Sequence, residues 1–253
     1  MTPAVTFNSV TKRFGASGPP ALDGISLSID AGELVCVLGT SGGGKTTFIK
    51  LINRLIEPDE GQVLVNGRDV SDVDPIELRR SIGYVIQQSG LFPHMTVAQN
   101  IGCVPHILGW TRARIEARVD ELLELVHLEP NRFRNRYPAQ LSGGQQQRVG
   151  LARGLAAEPA LMLLDEPFGA VDAITRTALQ DELLHLHRNS GKTFLFVTHD
   201  IEEARRLATR VLVLDEGRIQ QYGTFEELYE RPATPFVEQL MRGVSGHVSR
   251  CGR

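Results

Sequence analysis

The chain has 253 residues, 42% of them hydrophobic, which is enough to bury one complete α/β core. Its net charge of −3 and its 6% aromatic content argue against a nucleic-acid-binding surface. No apolar run reaches about 18 residues, and the start of the chain lacks the apolar centre of a signal peptide, so we expect it to stay in the cytosol.

The first chemical signal along the chain is a glycine-rich loop at residues 39–46, Gly-Thr-Ser-Gly-Gly-Gly-Lys-Thr, which fits G-x-x-x-x-G-K-[ST]. A predicted buried strand at 33–38 precedes it and a predicted helix at 45–53 follows it. Glycines let consecutive N–H groups converge on an anion, and the helix adds its positive end. We expect polyphosphate here, with Lys45 neutralising the β- and γ-phosphates. The Thr46 hydroxyl would bind magnesium, with Thr47 the weaker alternative.

Helical signals replace strand signals from residue 88 to about 157, and the stretch Leu-Ser-Gly-Gly-Gln lies near the end of that region, at 141–145. Ser142 suits a helix N-cap, and the apolar spacing after it predicts a helix from Gly143 to about Ala157. The two glycines allow close backbone approach. The N-terminus of this helix is therefore a second candidate for binding phosphate.

Two apolar runs further along the chain each end in a polar side chain. Residues 161–165 read as a central parallel strand that delivers Asp165 to the C-terminal edge of a sheet, where it can hold magnesium. Glu166 follows directly and is the candidate catalytic base, because it can polarise a water for attack on the γ-phosphate. Residues 193–198 read as another buried strand, which places His199 near the γ-phosphate, and Asp200 then begins a helix.

Each of these downstream residues also has a structural interpretation. An Asp-Glu pair after a strand is often a solvated turn or a helix cap, and a histidine at a strand end is often structural. The order of the motifs favours the functional interpretation, because an accidental Leu-Ser-Gly-Gly-Gln between a phosphate loop and an Asp-Glu strand end is a rare event.

The motifs in this order resemble those of the ATP-binding-cassette (ABC) ATPases over nearly the whole chain. The resemblance implies an α/β fold, in which a P-loop NTPase core carries an antiparallel β-subdomain and an inserted α-helical subdomain, with ATP and Mg²⁺ as cofactors. It also implies that Phe14 stacks on adenine and that Gln87 links magnesium to the membrane subunit. Gln88 is the alternative to Gln87, and the spacing to Phe92-Pro93-His94 favours Gln87.

The same resemblance gives the site residues their roles. The catalytic set is Glu166, His199, Lys45 and Gln87, and the metal set is Thr46, Gln87 and Asp165. The nucleotide-binding set combines the adenine-stacking position, the phosphate loop, the Leu-Ser-Gly-Gly-Gln stretch, which is the family's signature segment, and one residue from the loop that crosses the dimer interface. Its members are Phe14, Gly39, Thr40, Ser41, Gly42, Gly43, Gly44, Lys45, Thr46, Thr47, Ser142, Gly143, Gly144, Gln145 and Asp172.

The resemblance further implies a head-to-tail homodimer, because in this family the signature segment contacts the nucleotide that the opposite subunit binds. The expected partners are a second copy of the chain, transmembrane permease subunits and, indirectly, a solute-binding protein, with no nucleic acid. The chain would act at the cytoplasmic face of the membrane. ATP would close the dimer and hydrolysis would reopen it.

The chain is expected to form one cassette over residues 1–245. Its core and β-subdomain would occupy about 1–87 and 158–245, its helical subdomain about 88–157, and a frayed tail 246–253. Antiparallel strands are predicted at 5–7, 22–27 and 63–65, and short final helices near 225–229 and 236–241. Cys36 is expected to be a small buried hydrophobe, and Cys103 and Cys251 show no ligand spacing.

Softer similarities suggest the cargo. Residues 51–58, 82–88, 91–96 and 174–176 resemble importer ATPases for glycine betaine, choline and carnitine. Three alternatives stay open: an importer ATPase for another small solute such as an amino acid, a soluble cassette ATPase outside transport, and a cassette that binds ATP without hydrolysing it. Lys45, Asp165, Glu166 and His199 are all present, which disfavours the last.

Overall fold

The computed structural model describes residues 2–15, 18–86, 90–169 and 171–248, with side chains described as far as Arg242. It consists of two compact units. The first comprises residues up to Leu78 together with those from Thr193 onward, and the second comprises Arg79–Lys192. Helix α2 (Pro75–Ser81) crosses the division. The subdomain boundaries expected from the sequence fall at different residues and remain a prediction.

The first unit contains two groups of strands. The antiparallel group has the order β2-β1-β4-β5, with strands β1 (Val5–Lys12), β2 (Leu22–Ile29), β4 (Glu60–Val65) and β5 (Arg68–Asp69). The other group consists of β3 (Leu34–Gly39), β8 (Thr193–Val197), β9 (Arg210–Asp215) and β10 (Arg218–Gly223). Strand β3 pairs in parallel with β8 on one side and with β9 on the other, and β9 continues into an antiparallel hairpin with β10.

Helix α1 (Lys45–Ile52) is fixed by its apolar side. Its residues Phe48, Ile49, Leu51 and Ile52 are buried, and the ring of Phe48 stacks on that of Phe7 in β1, with centroids 4.3 Å apart. Each such side chain contributes roughly 1.5–3 kcal/mol by leaving water. The loop that precedes α1 is therefore held between a buried strand and a firmly packed helix.

The remaining helices of the first unit are α8 (Ile201–Leu207), α9 (Phe225–Glu230) and α10 (Pro235–Val248). Helix α10 includes residues 246–248, where the sequence predicts a frayed tail.

The second unit is mainly helical and contains two parallel strands, β6 (Ile82–Val85) and β7 (Leu161–Asp165). Its described residues form the helices α3 (Val97–Ile107), α4 (Arg112–Leu125), the short α5 (Pro130–Phe133), α6 (Gly143–Leu155) and α7 (Ala173–Ser190), and a 3₁₀ turn at Pro138–Gln140. Within the described ranges, no helix has the length and apolar character needed to cross a bilayer.

Close backbone contact positions helix α6 in this unit. A Cβ at Gly83 in β6 would lie 2.5 Å from the carbonyl oxygen of Gly154 in α6 and would overlap the sulfur of Met162 in β7. Only glycine permits such an approach. Strand β6 therefore packs directly against helix α6, which begins within the Leu-Ser-Gly-Gly-Gln segment. Strand β7, all five of whose residues are buried, pairs with β6.

Candidate functional site

The glycine-rich loop joins β3 to α1 in a conformation that only glycine adopts easily. Gly39, Gly42 and Gly44 have φ values of 153°, 82° and 100°. A Cβ at Gly39 would overlap the carbonyl oxygen of Leu214, and one at Gly44 would lie 2.5 Å from the carbonyl oxygen of Ala21. These two glycines are therefore required by packing as well as by backbone conformation.

The side chain of Lys45 turns back over the loop. Its Nζ donates to the carbonyl oxygens of Gly39 at 2.9 Å and Thr40 at 2.6 Å. Thr46 and Thr47 follow in the first turn of α1, where the N–H groups of a helix have no acceptor within the helix itself. The loop thus gathers an ammonium group, hydroxyls and backbone N–H groups around one helix N-terminus, which is a suitable arrangement for a phosphate chain.

Sequence reasoning missed two residues that support this loop. The Thr40 hydroxyl donates to Asp215 Oδ1 at 2.8 Å, and the N–H of Gly217 donates to the Gly43 carbonyl oxygen at 3.4 Å. Both belong to the β9–β10 hairpin region, more than 170 positions from the loop. No local pattern could have indicated them, because their proximity follows from the pairing of β3 with β9.

His199 lies at the same edge of the first unit as the loop. Val37 in β3 is in register with Val197 in β8, so the chain leaves both strands side by side. The turn after β8 is held by a buried pair that the sequence did not reveal. The Thr198 hydroxyl donates to Glu203 Oε2 at 2.6 Å and accepts from the Asp200 N–H at 3.0 Å.

Cys36 in the neighbouring strand is fully buried, as predicted. Burial, and then the charges of Glu203 and Asp200, raise the pKa of its thiol well above the usual range. The thiol therefore stays protonated near neutral pH and behaves as a small apolar group.

In the second unit, β7 ends in Asp165, which is only 8% exposed. Burial, followed by the charge of Asp165, raises the pKa of the nearby Tyr84 to about 12. The charge of the Asp165 carboxylate therefore lies in a poorly solvated part of the second unit. A buried carboxylate oxygen at the C-terminal end of a parallel strand is a hard ligand of the kind that Mg²⁺ prefers.

Glu166 departs from the regular strand at once, with φ +47°. Its carbonyl oxygen accepts two hydrogen bonds, one from Gln147 Nε2 at 2.8 Å and one from the Gly169 N–H at 3.2 Å. Gln147 is a buried residue of α6 that was absent from the predicted site. Its position just after the Leu-Ser-Gly-Gly-Gln segment was the only available signal.

The N-terminus of α6 has a complete capping box, which confirms Ser142 as the N-cap. The Ser142 hydroxyl accepts from the Gln145 N–H at 3.3 Å, and Gln145 Oε1 accepts from the Ser142 N–H at 3.0 Å. Space around Gly143 is open, because a Cβ there would meet no described atom within 4 Å beyond its own stretch of chain. The described part of the chain thus leaves room for a ligand beside Gly143.

Asp172 is the N-cap of α7 and accepts from the Thr175 N–H at 3.0 Å. Hydrogen bonds from Thr175 lower the pKa of its exposed carboxyl below the usual range. Phe14 is 63% exposed, with Lys12 Nζ 5.8 Å from the centre of its ring, so its face is accessible for stacking. Gln87 and Gln88 lie outside the described residues.

Each unit therefore brings together part of the predicted site. The first unit unites the loop from Gly39 to Thr47 with His199. The second unites Asp165 and Glu166 with the helix that begins beside Ser142. The roles assigned to these side chains remain predictions.

Comparison with known proteins gives the family. The profile of the family described as "ABC transporter" matches residues 22–169. The carnitine transport ATP-binding protein OpuCA of Listeria monocytogenes is 52% identical over 235 residues, 93% of this chain and 59% of its own length. The choline transport ATP-binding protein OpuBA of Bacillus subtilis is 50% identical over 237 residues, 94% of this chain and 62% of its own.

A solved structure agrees in fold. The dimeric, post-hydrolysis form of the ATP-binding cassette MJ0796 bound to ADP and Pi superposes with a TM-score of 0.80 at 37% identity, over 87% of this chain and 98% of that one. The fold is thus that of a P-loop ABC cassette, as predicted. The chain belongs to the ABC transporter ATP-binding family, and it spans about three fifths of the length of the curated relatives it matches.

Thr198→Val should lower the free energy of unfolding by about 2 kcal/mol, because it leaves a buried Glu203 oxygen and the Asp200 N–H without the hydroxyl. Thermal or urea unfolding would measure the change. Thr209→Val is the matched control, since the hydroxyl of this exposed residue also makes two hydrogen bonds, to the backbone of Leu34, in a less buried setting. Equal losses in both variants would contradict a special role for the buried pair.

Proposed function

We propose that this chain is the ATP-hydrolysing subunit of an ABC importer, and that its cargo is a quaternary-ammonium osmoprotectant such as glycine betaine, choline or carnitine. The observation that carries the catalytic part is the pair of strand ends, one leading into a phosphate loop with Lys45 and the other presenting Asp165 and Glu166. The relatives named above support the cargo.

Binding of ATP would begin at the phosphate loop. Lys45 Nζ donates to the carbonyl oxygens of Gly39 and Thr40, and phosphate oxygens would replace them as stronger, charged acceptors. The N–H groups at the start of α1 would converge on the same phosphates. Phe14, with its ring accessible, would stack on adenine.

The donor set at the two strand ends fits Mg²⁺, because a threonine hydroxyl and a buried carboxylate are hard oxygen ligands. Thr46 and Asp165 would hold the ion, and Gln87 would join them. Bound Mg²⁺ would neutralise charge on the β- and γ-phosphate oxygens. Glu166 would orient the attacking water and accept its proton, while His199 would contact the γ-phosphate.

Hydrolysis would require two copies arranged head to tail. Ser142, Gly143 and Gly144 form an open helix N-terminus that is suited to a phosphate held by another subunit. The neighbouring structure, described as dimeric and bound to ADP and Pi, supports the formation of a dimer. Asp172, capping α7 with a charged side chain, would lie at the interface between the copies.

A permease would dock on the second unit. Helices α3 and α4 border a groove of about 930 Å³, whose walls include Ala98, Gly102, Cys103, Ile107 and Trp110. Arg112, Glu116 and Arg134 give it a charged margin. An apolar floor with a charged margin suits a short amphipathic helix from a cytoplasmic loop of a membrane protein. The chain would therefore work at the cytoplasmic face of the membrane, and the solute-binding protein would contact only the permease.

The catalytic part of the proposal predicts the behaviour of Glu166→Gln. The variant should lose about 10²- to 10⁴-fold in ATP turnover, because the amide cannot accept a proton from water. It should keep ATP affinity and accumulate an ATP-bound dimer that size-exclusion chromatography can separate from monomer. Turnover at the wild-type rate would remove Glu166 from the mechanism.

The transport part predicts that Ala98→Arg blocks uptake. The long charged side chain would fill the groove, so uptake of labelled solute by cells carrying the whole transporter should fall at least tenfold, while ATP turnover by the isolated subunit stays within a factor of two. Ala117→Arg on the exposed side of α4 is the matched control and should leave uptake unchanged.

The same uptake assay identifies the cargo. Unlabelled glycine betaine, choline or carnitine should compete with the labelled solute, whereas amino acids without a quaternary ammonium group should not. Competition by such amino acids alone would support the alternative, an importer of amino acids.

Unchanged uptake in the Ala98→Arg variant would place the docking surface elsewhere.

A further inference from the structure

The side chain of Gln147 connects helix α6 to the residue proposed as the catalytic base. Gln147 is 3% exposed, and its Nε2 lies 2.8 Å from the carbonyl oxygen of Glu166. The Gly169 N–H donates to the same oxygen at the longer distance of 3.2 Å. The carboxamide thus makes the shorter of these two hydrogen bonds to the turn.

The conformation of Glu166 needs such support. Its φ of +47° lies in the left-handed region, which non-glycine residues seldom occupy. The following residue is Pro167, and a residue that precedes proline favours extended backbone with negative φ. Two local preferences therefore oppose the observed backbone, and the surrounding contacts must hold it in place.

This backbone conformation determines where the carboxylate lies. A Cβ at Gly169 would be 3.7 Å from Glu166 Oε2, so the carboxylate sits over the turn that the Gly169 N–H closes on the Glu166 carbonyl. Rotation of Glu166 into extended backbone would move the carboxylate away from this turn. A displacement of about 1 Å can cost a catalytic group up to about 100-fold in rate.

We infer that Gln147 is a positioning residue for ATP hydrolysis: its carboxamide holds the Glu166 backbone in the left-handed conformation from which the carboxylate acts. The inference rests on the proposed function, since it concerns how the proposed base is placed. In this role Gln147 itself touches neither nucleotide nor water. The capping box at Ser142 orders the start of the same helix, five positions before Gln147.

The test replaces Gln147 with methionine, which has a similar shape and no N–H donor. Gln147→Met should lower kcat about tenfold and change the KM for ATP by less than threefold, because the phosphate loop is untouched. Gln146→Met is the matched control. Gln146 is the preceding residue of the same helix, and its amide donates to the carbonyl oxygens of Pro138 at 3.0 Å and Leu141 at 3.4 Å. It should keep kcat within a factor of two.

If Gln147 had only a structural role, its loss would lower activity to the same extent whether or not the Glu166 carboxylate is present. The Gln147→Met substitution is therefore repeated in the Glu166→Gln background under single-turnover conditions. There, Gln147→Met should reduce the residual rate by less than twofold, since the group that it positions is already disabled. A tenfold loss in both backgrounds would overturn the inference, as would a wild-type kcat for Gln147→Met or an equal loss in Gln146→Met.

Folding is checked by circular dichroism and thermal unfolding. If Gln147→Met does not fold, Gln147→Leu replaces it, because leucine is also uncharged and has no side-chain hydrogen-bond donor. Failure of both variants to fold would assign Gln147 to the core and overturn the inference. The proposed function fails on a different result, namely a wild-type chain without ATPase activity or a Glu166→Gln variant with normal turnover.

Discussion

The two hydrogen bonds that Gln147 and Gly169 donate to the carbonyl oxygen of Glu166 are the contacts on which the proposed chemistry depends. One donor, Gln147, comes from α6, and the other, Gly169, lies three residues after Glu166. Together they hold Glu166 in the left-handed backbone conformation that its local sequence disfavours. Asp165, one residue earlier, still belongs to the strand. In the proposed mechanism, this sharp change of direction would let the two adjacent carboxylates take different roles, Asp165 at the metal and Glu166 at the attacking water.

The two elements proposed to bind phosphate, one in each unit, follow the same physical rule. Each is a helix N-terminus preceded by glycine or by a small capping residue, where N–H groups lack intrahelical acceptors. At α1 the glycines are required by the carbonyl oxygens of Leu214 and Ala21, and Lys45 supplies the charge. At α6 the Ser142–Gln145 capping box orders the helix end, and the space beside Gly143 is open.

The local parts of this site could be predicted from the sequence because they depend on residues close together in the chain. The phosphate loop, the N-cap at Ser142 and the strand ending in Asp165 all have signals within about ten residues. Asp215, Gly217 and the Thr198–Glu203 pair could not be predicted, since strand pairing or a buried side-chain contact brings them into place. The left-handed Glu166 runs against its own sequence, because proline follows it.

The most direct test of the central claim mixes two inactive variants. Lys45→Ala removes the phosphate-loop charge, and Ser142→Arg obstructs the N-terminus of α6, so each homodimer has two defective sites. If each nucleotide is bound by Lys45 of one copy and Ser142 of the other, the mixed dimer has one site with both residues intact. ATPase activity should then return on mixing. Activity that stays at the level of the separate variants, with mixed dimers demonstrated by affinity tags, would contradict the head-to-tail account.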